Sequence, residues 1–251
     1  MPGVLSMRIA RICINLIFDD SSVFGQYAAA ARRHEKDSLM LQKYRHVIWD
    51  WNGTLLDDAW LCVEILNEIL CARGKRPITH RRYMEEFGFP VKDFYERIGF
   101  DFSDEPFEAL ARDYIGKYDA RCRECTLHDR ALDVVRRCKE CGIEQSVLSA
   151  YHRQRLEGML DFFDLRPLFA RVVGLDDYHA HGKIEQGVRL VAESGFDSGQ
   201  AVLIGDTIHD HEVAQEAGAD CILFAGGHYL EQRLRSCGVP VVSSLGQLLK
   251  M

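Results

Sequence analysis

The chain has 251 residues, 47% hydrophobic and 27% charged, which suits one substantial core with room for a smaller module and excludes disorder as its general state. Its net charge is −7 and its pI about 5.8. Gripping a nucleic-acid backbone takes a surplus of Lys and Arg on one face, so that class is excluded and an anionic ligand must be held locally. Nine cysteines without a convincing export signal read as reduced thiols in a cytoplasmic protein rather than a disulfide framework.

Residues 1–43 show no turn chemistry or strand periodicity that fits the rest of the chain, and Met40 stands just before the first clear strand. They read as an appended arm, or as an upstream start that the working protein does not need. The alternative is a helix from about Ser22 to Leu41 packed on the main domain. The basic and apolar stretch from Met7 to Phe18 is too short to span a bilayer, and Asp19-Asp20 follow it where a small-residue cleavage site would stand, so no membrane partner is expected.

From Arg45 the pattern sharpens. His46-Val47-Ile48-Trp49 reads as a buried strand running into the turn Asp50-Trp51-Asn52-Gly53-Thr54. Leu61 to Arg73, Thr79 to Phe87, Val91 to Ile98 and Pro106 to about Cys122 read as helices, with Gly74, Gly88, Pro90 and Gly99 as punctuation. After His128, helices and short apolar strands alternate. Helices are expected over Ala131–Cys141, Arg153–Leu160, Ile184–Glu193 and Glu212–Ala217. Strands are expected over Gln145–Leu148, Arg171–Val173, Ala201–Ile204, Cys221–Phe224 and Val239–Val242. Repeated β-then-α units imply an α/β, Rossmann-like core with a mostly parallel sheet. The expected organisation is a core of residues 44–58 and 128–251, with a helical module, 59–127, inserted after the first strand. In such sheets ligands bind beyond the carboxyl ends of the strands.

Three of those ends carry reactive polar groups: Asp50 with Asn52 and Thr54, then Ser149, then Asp206 and Asp210 in Gly205-Asp206-Thr207-Ile208-His209-Asp210. Lys183 lies between the last two. Together they offer carboxylates for a hard cation, one carboxylate free to attack phosphorus, and a hydroxyl and an ammonium for phosphate oxygens. Singly, each has a plainer reading: Asp-x-Asn-Gly is a common turn, Ser149 or Asp206 can cap a helix, and a loop lysine is usually solvated. Their order at successive strand ends favours the joint reading.

The run Asp50-Trp51-Asn52-Gly53-Thr54-Leu55-Leu56-Asp57 resembles the first motif of the haloacid dehalogenase (HAD) superfamily, DxDGTxxD. Val147-Leu148-Ser149 resembles the second motif, Lys183 the third, and the acidic run from Gly205 to Asp210 the fourth. The resemblance covers about residue 45 to the end and is closest to the phosphoglycolate-phosphatase-like branch, whose helical cap lies between the first and second motifs. It implies a phosphatase for a small phosphorylated metabolite, phosphoglycolate-like, with Asp50 as nucleophile. Mg²⁺ is implied at Asp50, the Asn52 carbonyl, Asp206 and Asp210. Ser149 and Lys183 would hold the transferring group, while Gly53, Thr54, Ala150 and the cap residue Arg97 would contact substrate. A monomer or homodimer is expected. Dehalogenase and mutase chemistry are disfavoured, the first by the acidic fourth motif and the second by Asn52; phosphonate hydrolysis is disfavoured by the lack of an identifiable cap lysine.

The sequence departs from the family pattern at Asn52, where its phosphatases carry the aspartate that protonates the leaving oxygen. An amide cannot do so, and acid–base help of roughly 10²–10⁴-fold is lost unless another group supplies it. Four accounts remain: substrates with good leaving groups, another acid such as His209, conversion of the Asn52-Gly53 pair by deamidation, or a catalytically weak scaffold that binds a phosphorylated ligand or a protein partner. Arg81, Arg82, Lys92 and Arg97 are candidate contacts for the far end of an anionic substrate. Cys122-x-x-Cys125 and Cys138-x-x-Cys141 match zinc-ribbon spacing, but the second pair falls on a helix whose apolar face needs no metal.

Overall fold

In a computed structural model, residues 40–103, 105–175, 182–197 and 199–249 are described. The expectations for the arm therefore lie outside the described residues, apart from a 3-10 turn at Met40–Lys43 that buries Leu41.

The chain enters β1 (His46–Trp49), forms the two-residue strand β2 (Leu56–Asp57), and passes through α1 (Ala59–Ala72), α2 (His80–Glu86), α3 (Val91–Arg97) and α4 (Phe107–Arg121). It returns through β3 (Thr126–Leu127), which pairs antiparallel with β2, so one short ladder ties together the two ends of the helical insert. The alternating half follows as α5 (Ala131–Glu140), β4 (Glu144–His152), α6 (Arg153–Phe162), β5 (Arg171–Leu175) and α7 (Gly182–Ser194). It ends with β6 (Ala201–Gly205), α8 (Ile208–Ala217), β7 (Asp220–Phe224), α9 (Glu231–Arg235) and β8 (Val241–Val242).

Six strands form a sheet in the order β5-β4-β1-β6-β7-β8, and each neighbouring pair is parallel. Both faces are buried, as the continuous apolar runs require. Val47, Trp49, Val147, Val202 and Ile204 join one core with α5 and α6, while Ile48, Leu148 and Leu203 join the other with α7 and α8. That split follows the two-residue period of a strand. From β1 the chain builds outward through β4 and β5, then returns to β6 on the other side of β1. The strand order thus diverges at β1, and the crevice beyond its carboxyl end is the natural ligand site of such a sheet.

The apolar side of the insert runs on into the first of these two cores. Leu61, Ile65 and Ile69 recur along α1 at helical spacing and are buried with Tyr83, Phe94 and Leu110. Thr79 caps α2, its Oγ1 accepting from the Arg82 amide at 3.1 Å. Among the described residues no helix is long and apolar enough to cross a membrane.

Two elements differ from expectation by more than two residues at an end. β4 continues to His152 after a register shift beyond Leu148, and α8 starts at Ile208 instead of Glu212, because Thr207 caps it and draws the acidic motif into the first turn.

Candidate active site

Asp50 follows β1, its amide donating to the Ile204 carbonyl at 2.9 Å. Asp206 follows β6, and Asp210 sits in the first turn of α8. All three are buried, with carboxylate oxygens within 4.8 Å of one another. Lys183, at the start of α7, places Nζ 2.5 Å from Asp50 Oδ1 and 2.6 Å from Asp210 Oδ1. Local structure fixes each acid. Asp210 completes a capping box, accepting at Oδ2 from the Thr207 amide and hydroxyl while Thr207 Oγ1 accepts from the Asp210 amide. Asp206 accepts from Thr54 Oγ1 at 2.9 Å and from the His228 amide at 2.6 Å.

Burial, reinforced by the neighbouring acids, pushes Asp50 and Asp206 above the usual carboxylate range, although Lys183 opposes it at Asp50 and His228 at Asp206. At Asp210 burial also acts upward, but Lys183 and the Thr207 hydrogen bonds outweigh it and hold that carboxyl low. One ammonium cannot balance three converging carboxylates. A set of hard oxygens with surplus negative charge fits a hard divalent cation.

A second buried group adjoins the first. Asn52 Nδ2 donates to Asp58 Oδ2 at 2.8 Å and to Tyr118 Oη at 2.7 Å, which uses both amide hydrogens. Asp58 also accepts from the Gly53 amide at 2.8 Å and from the Tyr118 hydroxyl at 2.6 Å. His228 lies with Nε2 3.4 Å from Asp58 Oδ1 and Nδ1 2.9 Å from the Tyr83 hydroxyl. Burial works against its charge, but Asp58 above all, with Asp206 and Asp50, raises it to about 9, so Asp58 and His228 form an ion pair. Gly53 has φ +78°, and a Cβ there or at Gly227 would collide with Asp206. Those two glycines let the turn after β1 and the loop after β7 close onto the same carboxylate.

From Asn52, Asp58 and Ala150 a cavity of about 480 Å³ runs into the insert between Tyr83, Phe87, Phe94 and Tyr114. Its charged lining residues away from the carboxylates, Glu108 and Arg112, are exposed.

A sequence profile of the haloacid dehalogenase-like hydrolases matches residues 47–224. The chain belongs to that family. It is 29% identical to a phosphoglycolate phosphatase of Caulobacter vibrioides over 203 residues, 78% of this chain and 85% of the relative. It is 24% identical to a pyrophosphatase PpaX of Anoxybacillus flavithermus, over 68% of this chain and 79% of that one. A haloacid dehalogenase-like family hydrolase from Streptococcus pneumoniae shares the fold at a TM-score of 0.69 and 17% identity, covering 82% of this chain and 97% of that one. The protein is thus a HAD hydrolase of the phosphatase type, similar to the phosphoglycolate-phosphatase branch.

Within this HAD hydrolase the structure brings together Asp50, Lys183, Asp206 and Asp210, with Asn52 and Ser149 beside them. Ser149 Oγ lies 3.5 Å from Asn52 Oδ1 and accepts from the Tyr151 amide at 3.1 Å. Gly53 and Thr54 are placed to brace instead of to touch a ligand: the Gly53 amide faces Asp58 and the Leu56 carbonyl, and the Thr54 hydroxyl is taken by Asp206. That hold on the Gly53 nitrogen, the nucleophile in Asn-Gly deamidation, also works against the deamidation route. Ala150 lines the cavity.

Arg97 does not reach the cavity. It is exposed and donates to the Glu86 carbonyl at 2.9 Å, because its position on α3 points along the outside of the insert. Arg81 and Arg82 are paired with Glu85 and Glu86, and Lys92 lies over the Phe102 ring. His209 lies tilted against the Phe89 ring and pairs with Glu212. The four zinc-spaced cysteines do not gather as a ligand group among the described residues. Cys122 Sγ packs 3.5 Å from Met159 Sδ, and burial pushes the Cys125 and Cys138 thiols up to about 12. Asp58, Tyr118, His228 and Arg112 were not anticipated. The Asp57-Asp58 doublet opening a helix and the Gly226-Gly227 pair after β7 are the sequence signals that mark the first and third of these.

Proposed function

We propose that this chain is a Mg²⁺-dependent phosphomonoesterase that acts on a small phosphorylated metabolite through an aspartyl-phosphate at Asp50. The observation that carries the reading is Lys183 Nζ lying between Asp50 and Asp210, with Asp206 alongside, at the ends of strands that diverge in the sheet. Asp50, Asp206, Asp210 and the Asn52 main-chain carbonyl would hold Mg²⁺, which lowers the repulsion between an attacking carboxylate and a phosphate. Asp50 attacks phosphorus. Lys183 and Ser149 hold the transferring oxygens, Thr54 fixes Asp206, and the helical insert, residues 59–127, acts as a cap that excludes bulk water.

Phosphoglycolate, from the relatives' names, is the first substrate to try, and acetyl phosphate reports the chemistry independently of fit. The full chain with Mg²⁺ should hydrolyse acetyl phosphate, lose that activity with EDTA, and lose roughly 10³-fold or more with Asp50→Asn. Acid-quenched protein should carry label from ³²P substrate only when Asp50 is present. Turnover no faster than the Asp50→Asn control across a phosphate panel would leave the second reading, a scaffold that binds phosphorylated ligands or a partner, which the missing carboxylate at Asn52 favours.

A further inference from the structure

Resting on the phosphatase reading, we infer that the substrate is an aryl phosphate, a phosphomonoester whose bridging oxygen is bonded to an aromatic ring that occupies the insert cavity. Two independent observations lead there, one at the reacting end and one at the far end.

At the reacting end the position two residues beyond Asp50 has no proton to give a leaving oxygen. Both Asn52 amide hydrogens are committed to Asp58 and Tyr118, the Tyr118 hydroxyl donates to Asp58, and His228 Nε2 faces Asp58. A leaving group that gets no proton from residue 52 departs as its own anion. A phenol, with a pKa of about 10, does so readily. An aliphatic alcohol, nearer to water's roughly 15.7, does not.

At the far end, the cavity of about 480 Å³ is much larger than a two-carbon acid needs. Its lining follows α4 from Phe107 to Tyr118, a rise of roughly 16 Å at the helical pitch. Tyr83 stacks on Phe87 at 4.9 Å and meets Phe94 edge-on at 5.7 Å, so the walls present ring faces and edges to a flat ligand. Charge argues the same way. A second anion entering the cavity would face the buried Asp58 carboxylate, while Arg112 lies at the exposed edge.

The step balances without a proton donor. An Asp50 carboxylate oxygen bonds to phosphorus, the phosphorus–oxygen bond to the ring breaks, and its electron pair leaves on the phenoxide, which takes a proton from water. Water then adds to the phosphorus of the aspartyl-phosphate, releasing phosphate and restoring the Asp50 carboxylate, with the water proton passing to phosphate or solvent.

Matched esters test this on the full Mg²⁺-loaded chain: phenyl against benzyl phosphate, which share a ring but differ in leaving group, and 1-naphthyl phosphate against phosphoglycolate, with acetyl phosphate as control. We expect kcat/KM for each aryl ester to exceed its partner by roughly 10²-fold, and Asn52→Asp to narrow the phenyl-to-benzyl ratio by about tenfold. Ile115→Trp, which fills the cavity, should raise KM for 1-naphthyl phosphate about tenfold more than for acetyl phosphate. Calorimetry on Asp50→Asn should show 1-naphthyl phosphate bound more tightly than phosphoglycolate, whatever the turnover. Phosphoglycolate or benzyl phosphate equalling its aryl partner would overturn the inference while leaving the phosphatase standing. Absence of acetyl phosphate turnover would overturn the phosphatase reading and the inference with it.

Discussion

Asp58 gathers the Asn52 amide, the Gly53 amide, the Tyr118 hydroxyl and the His228 imidazolium around one buried carboxylate. Removing its charge strands the histidine cation, and breaking a buried pair from one side costs about 3–5 kcal/mol. Asp58→Asn should therefore lower stability by that order in chemical denaturation near pH 7. A second readout comes from linkage. His228 is raised from 6.5 to about 9 in the fold, so its contribution is complete below pH 6.5 and fades as pH rises through 9. Wild type should lose stability across that window, and Asp58→Asn should show little of the loss; parallel pH profiles would contradict the ion pair. Asp50, Asp206 and Asp210 were legible in the sequence because strand ends announce themselves by hydrophobic runs stopping at polar residues, and Lys183 by its place between the second and the last of those ends. Tyr118 was not, since it sits inside a helix with an ordinary amphipathic pattern and reaches the site only through the packing of α4 beside α1.

Among the elements, α9 fastens the insert to the core. Arg233 donates to the Met84 and Phe87 carbonyls at 2.8 and 2.9 Å, at the carboxyl end of α2, while its guanidinium lies 3.8 Å from the Tyr229 ring centre. Helix ends leave carbonyls without partners, and this side chain supplies two of them. Arg233→Ala should cost about 1–3 kcal/mol, loosen α2 and, because α2 carries Tyr83 in the cavity wall, raise KM more than it lowers kcat. Amide exchange in α2 as slow as in wild type would show that the clasp is dispensable. The insert helices were legible to within one or two residues because prolines and glycines bracket them. β2 and β3 were not, since a two-residue strand has no period to read. α9 obeys the same logic, being little more than one turn.

The whole molecule places its chemistry where the strand order diverges, and that order is a property of packing rather than of any local signal. Alternation of helix and strand told of a parallel sheet, but not that β1 lies between β4 and β6. Every strand of the sheet begins at or after residue 46, so deleting residues 1–39 should leave acetyl phosphate turnover and the melting temperature unchanged; loss of both would give the arm a structural role. Global stability should also respond to acid through His46, at the start of central β1. Its side chain is fully buried, with Nε2 2.9 Å from Ser146 Oγ and its ring 5.8 Å from that of Phe196. Burial, helped by the charge of Arg171, lowers its pKa from 6.5 to about 4. Above pH 6.5 the folded and unfolded chains are both neutral there. Between 6.5 and 4 only the unfolded chain takes up the proton, so stability falls by up to about 3 kcal/mol, and below 4 the difference stops growing. Urea midpoints from pH 7.5 to 4.5 should therefore drop more steeply in wild type than in His46→Asn. Equal slopes would mean that the buried imidazole accepts its proton in place, and that acid acts on the fold through other groups.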